Sequence, residues 1–81
     1  MPYLDTCSGF LRRLIAEGDV NGIALAEIAI NDYCDATPDK ARKSGLRLLQ
    51  HDVLDQRDAV SGDQRSLADT VNAFIEKKLA E

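Results

Sequence analysis

Along most of the chain apolar residues recur at intervals of three and four, a spacing that lays an apolar stripe along one side of a helix. The register breaks at EGDVNG, DATPD and SGD, which divides the sequence into four amphipathic segments. The most apolar of them is GIALAEIAINDYC, Gly22 to Cys34. On a helical wheel Ile23, Leu25, Ala26, Ala29, Ile30, Tyr33 and Cys34 sweep about half the circumference, and Glu27, Asn31 and Asp32 take the rest. An arc that wide calls for partners on two sides. This helix is therefore expected at the centre, with three narrower stripes packed around it.

The first segment, Leu4 to Glu17, turns Leu4, Cys7, Leu11, Leu14 and Ile15 inward, with Phe10 at the edge and Arg12 and Arg13 outside. Pro2 suits a helix lead-in, and Asp5 or Thr6 is the expected cap. Gly18 ends this helix, and Asp19 or Asn21 is placed to cap the next. In DATPD, Thr37 is the expected N-cap, Pro38 the first helical residue and Asp39 an acid at the positive helix end. The third helix runs to about Val60 along a seam of Leu46, Leu49, Val53 and Val60, with Gln56 where another apolar residue would fall. Gly45 at the seam's edge permits a close neighbour. Either Ser61 with Gln64 or Ser66 with Asp69 offers a capping box for a fourth helix built on Leu67, Val71, Phe74, Ile75 and Leu79. Lys77 and Lys78 fall in its last turn, where cations suit the dipole. The expected fold is all-α, a compact antiparallel four-helix bundle forming a single helical domain over residues 1–81.

Eighty-one residues leave room for one core. A chain of this size buries only about 60% of its unfolded surface, so stability is marginal and a homodimer is expected. Hydrophobic content of 44% and charged content of 30% suit a folded chain. The net charge of −4 argues against a surface given over wholly to nucleic acid. No apolar run nears the roughly 20 residues that span a bilayer, and no basic, apolar leader opens the chain; no membrane association and a cytoplasmic location are expected.

Cys7 and Cys34 form neither a disulfide framework nor a CxxC pair and lie on apolar stripes, so both are expected as buried thiols. Together with His51 and Asp55 they match no zinc-ligand spacing, and neither a metal nor any other cofactor is expected. The carboxylates Asp52, Asp55 and Asp58 read as a solvated acidic face, and a core this small leaves little room for a substrate cavity of about 300 Å³. The expectation is that the chain is not an enzyme.

The informative anomaly is the charge order of the third helix. Lys40, Arg42, Lys43 and Arg47 crowd its N-terminal half and Asp52, Asp55 and Asp58 follow, against the helix dipole. Lys40, Lys43 and Arg47 fall together opposite Leu46 and Leu49, whereas Arg42 falls on the seam side. Internal pairing would account for them if Asp39 reached Lys43, or if Asp32, Asp35 or Glu76 approached from a neighbouring helix. Ile28, Leu48 and Leu54 lie off their stripes and would form a partner surface if they cluster. The resulting expectation is a small regulatory or inhibitory protein that docks on another protein through Lys40, Lys43, Arg47, Leu48 and Leu54, supplemented by the acidic strip after His51.

The segment ALAEIAINDYCDATPDKARKSGLRLL, Ala24 to Leu49, also resembles the two-helix core of helix-turn-helix regulators. There an apolar helix with an EIA-type run precedes a helix that opens on Thr or Ser and turns basic, then leucine-rich. The resemblance implies, as the alternative, a DNA-binding regulator whose second helix enters the major groove with Thr37, Asp39, Lys40, Lys43 and Arg47. Affinity for DNA would fall steeply with salt, and protein docking on apolar anchors would fall less.

Overall fold

The computed structural model describes residues 2–19 and 21–81. Four helices make up the fold: α1 (Pro2–Glu17), α2 (Gly22–Ala36), α3 (Asp39–Asp58) and α4 (Asp63–Ala80). Among the described residues there is no strand, and no helix is long and apolar enough to cross a membrane. The all-α four-helix bundle is thus what the periodicity predicts.

The breaks fall where expected, but the capping chemistry differs. Gly18 ends α1 at φ +66°, its N–H bonded to the carbonyls of Leu14 and Ile15 at 3.1 Å. Because α1 already begins at Pro2, Asp5 lies in its first turn instead of capping it. The Asp19 carboxylate accepts the Asn21 N–H at 2.9 Å, so it shapes the turn, and Asn21 occupies the N-cap position without a side-chain bond. Thr37 serves the helix before it. Its hydroxyl donates to the Tyr33 carbonyl at 2.6 Å, closing the end of α2, and Pro38 stands as N-cap of α3. Neither expected capping box forms, since α4 starts after Gly62, which takes φ +63°. Gln64 instead donates across the bundle to the Ala16 carbonyl.

The helices alternate in direction, so the α1 start, α2 end, α3 start and α4 end share one end of a body measuring 35 × 19 × 18 Å. The antiparallel pair α3/α4 has the most extensive contact, and α1 and α4 each touch all three other helices. By contrast, α2 and α3 sit at far corners and scarcely meet. The expectation that α2 is the centre is therefore corrected. Its inner arc of Gly22, Ala26, Ile30, Tyr33 and Cys34 is buried, but Leu25, assigned to the core by the wheel, is exposed. Two small residues set this arrangement. Gly22 lies against Leu14 with no space for a Cβ, and Tyr33 spans the long diagonal to lay its ring over Gly45, where a Cβ would come 2.6 Å from Cζ. The core between the helices is closed by Leu11, Ile15, Ile30, Leu46, Leu49, Val53, Leu67, Val71 and Ile75, all fully buried.

Candidate interaction surface

Helix α3 buries Gly45, Leu46, Leu49 and Val53, and this fixes which side it turns outward. Lys40, Lys43, Arg47 and Leu54 fall within an arc of about 60° on that outer side, at 100° per residue, and Leu48 lies about 80° beyond it. All five are exposed, Leu48 by 56% and Leu54 by 38%. The structure thus brings the three cations into one stripe, with Leu54 at its C-terminal end.

Internal pairing does not account for these cations. Asp39 bonds Arg42 at 3.2 Å instead of Lys43, and Arg42 also donates to the Thr37 carbonyl at 3.2 Å. Glu76 accepts from the Gln50 amide at 2.5 Å. Among the described residues Lys40, Lys43 and Arg47 make no ion pair.

The second half of α3 behaves in the opposite way. Asp52 accepts from Ser8 of α1 at 2.6 Å, Asp55 lies 3.3 Å from the His51 ring, and Asp58 lies 3.6 Å from Arg57 and 4.0 Å from Arg65. Arg57 also binds Asp69 of α4. The acidic strip, expected to supplement the partner surface, has contacts within its own chain, while Asp55 and Asp58 stay exposed.

A charged depression of about 500 Å³ opens at the end of the bundle where α2, α3 and α4 meet, lined by Asp35, Asp39, Arg42, Lys43, Lys78 and Glu81 above Cys34. Three cations there face three carboxylates. Among the described residues no three histidine, cysteine, aspartate or glutamate side chains gather as a metal would require.

The expected cluster of Ile28 with Leu48 and Leu54 is divided. Ile28, 55% exposed, joins Leu25 at 52% and Phe10 at 36% along an open groove between α1 and α2. The groove has a volume of about 670 Å³ and is floored by Cys7, Ala29 and Tyr33, with Asp32 and Asp35 toward the α2 C-terminus. Room for a ligand of more than 300 Å³ is therefore present, as an open trough and not an enclosed cavity. Phe10 and Leu25 were not among the expected contact residues. The signal for Leu25 is the half-circumference arc of α2, wider than the core consumes, and the signal for Phe10 is its place at the edge of the α1 stripe.

Both cysteines are free and buried, as their stripes predict. Burial pushes the Cys7 thiol up to about 11, with the nearby Cys34 adding to the effect. Burial also raises Cys34, against the opposing pull of Arg42 and Lys78. These are protonated, unreactive thiols at neutral pH. No family model, curated protein or solved structure matches the chain.

Proposed function

We propose that this chain is a small regulatory or inhibitory protein that works by docking another protein against the outer face of α3. One observation carries the reading: on a single helix every carboxylate of the acidic half is engaged, while Lys40, Lys43 and Arg47 stand exposed and unpaired beside Leu48 and Leu54. Lys40, in the first turn of α3, costs the helix about 0.3–1 kcal/mol against its dipole, and a use outside the fold would account for keeping the exposed stripe. An apolar anchor beside charge supplies both affinity and register.

The same cations favour DNA as the alternative partner. Less support comes from the helix pair itself, because α2 and α3 are joined by only Thr37 and Pro38 and lie at far corners. Immobilised wild type and a Lys43→Glu, Arg47→Glu variant, each incubated with host lysate with and without nuclease, test the two readings. Retention by wild type of a protein that survives nuclease and is lost with the variant is the expected result. Loss of the captured material on nuclease treatment would transfer the site to DNA, and equal capture by both forms would remove the site assignment.

A further inference from the structure

The α1–α2 groove and the outer face of α3 match each other. Along α2, Leu25, Ile28, Asp32 and Asp35 share an arc of about 80°, so the groove's edge passes from apolar to acidic toward the α2 C-terminus. Along α3 the outer stripe passes in the opposite order, from Lys43 and Arg47 to Leu54. Leu25 and Asp32 are seven residues apart, and so are Arg47 and Leu54. At 1.5 Å per residue both intervals are about 10.5 Å. A helix laid antiparallel on α2 with Leu54 over Leu25 would bring Arg47 over Asp32 and Lys43 beside Asp35 and Ala36.

We propose that the groove between α1 and α2 receives α3 of a second copy of this chain, in a head-to-tail association. The inference rests on the reading of α3 as an interaction face and names a partner for it. The groove's exposed ionisable side chains are Asp32 and Asp35, both acidic, and among the described residues neither makes an ion pair. Asp35 also borders the charged depression at the bundle end, so Asp32 is the more specific contact. Phe10, Leu25 and Ile28 supply the apolar wall that Leu54 and Leu48 lack in their own chain. A convex helix fits an open trough, the geometry by which amphipathic helices commonly dock. Two copies joined in this way leave one groove and one α3 face free, so the contact is heterologous and propagates.

Sedimentation equilibrium from about 10 µM to 1 mM, the range in which small interfaces associate, tests this with three samples. The wild type should show an average mass rising above 8.9 kDa with concentration. Ile28→Asp alone and Lys43→Glu, Arg47→Glu alone should each associate at least about tenfold more weakly. Mixed in equal amounts, they should form a species of twice the chain mass, because each retains the surface the other lacks, and growth should stop there. Asp32→Lys, confined to the rim, replaces Ile28→Asp if circular dichroism shows that the latter is unfolded. A wild type that remains monomeric at 1 mM overturns the proposal. So does a Lys43→Glu, Arg47→Glu variant that associates like wild type, which would place groove against groove, or a mixture that remains monomeric. Since Ile28→Asp keeps its α3 face, it should still capture the lysate partner. A wild type that remains monomeric yet captures the lysate partner defeats this inference alone, whereas a wild type that self-associates without any capture defeats only the proposed docking on another protein.

Discussion

The two faces of α2 are made of similar residues and have opposite fates. On the inner face Gly22, Ala26, Ile30 and Tyr33 are closed against α1, α4 and the far corner at Gly45. On the outer face Leu25 and Ile28, no less apolar, are half exposed over a trough. Position around the helix distinguishes them. The inner face sets Gly22 and Ala26, which let neighbouring helices approach, beside Ile30 and Tyr33, which fill the core. Large side chains on the other face then have no helix left to meet. Amphipathic width beyond what the fold consumes therefore marks a surface available to something else.

Truncations on the two faces should separate them most clearly. Ile30→Ala removes a fully buried side chain and should cost about 2–5 kcal/mol, whereas Ile28→Ala should stay within about 0.5 kcal/mol, both read from urea unfolding. Comparable losses at the two positions would end the distinction between the faces.

A pH titration of stability probes the boundary between them, where Cys7 contacts the Ala29 carbonyl at 3.9 Å. The Cys7 thiol is raised from 9.0 to about 11, so above pH 9 the unfolded chain loses its proton before the folded one does. The stabilisation is intact below pH 9 and disappears as pH rises through 11, at most about 2–3 kcal/mol from this group. Cys34 shifts in the same direction. Cys7→Ala should flatten the alkaline limb of stability against pH, and an unchanged limb would mean that the thiol is hydrated through the groove.

Gly45→Ala tests the long diagonal. Its new methyl meets the Tyr33 ring and should cost about 1–3 kcal/mol in thermal melts, with partial recovery on adding Tyr33→Phe, which removes the hydroxyl nearest the clash. The smallest effect belongs to the outer face of α3. Lys43→Glu, Arg47→Glu should change folding by less than about 0.5 kcal/mol, since both side chains are exposed and lie beyond the first turn of α3. A larger loss of stability in the same melts would show that these side chains hold the fold together.

Helix positions and most of the core were legible because burial in a bundle follows the 3.6-residue period, as the stripes of α1 and α4 illustrate. The caps were not. Thr37, Pro38 and Asp39 satisfy the usual start of α3, yet the hydroxyl of Thr37 lies closer to the carbonyl of Tyr33, a competition that sequence spacing cannot rank. Gly45 was readable as a site of close approach, but the approaching residue, twelve positions earlier across the bundle, was not. The cationic stripe was recognisable from charge order alone. Whether it was paired depended on Asp39 choosing Arg42 and Gln50 taking Glu76, choices made by rotamers and helix packing. The groove was hidden for a similar reason, since an apolar arc records how much surface wants cover and not which neighbour supplies it.

The corner position of α2 also bears on how the molecule breathes. The α3/α4 hairpin is local in sequence and has the most extensive packing, but α2 is held mainly by α1 and α4 and hardly by α3. Partial openings release the least connected element first, so α2 amides should exchange with deuterium faster than those of α3 while the hairpin remains protected. Each such opening uncovers the Cys7 and Cys34 thiols without global unfolding, so their slow alkylation becomes a clock for α2 detachment. An occupant of the groove would slow that clock.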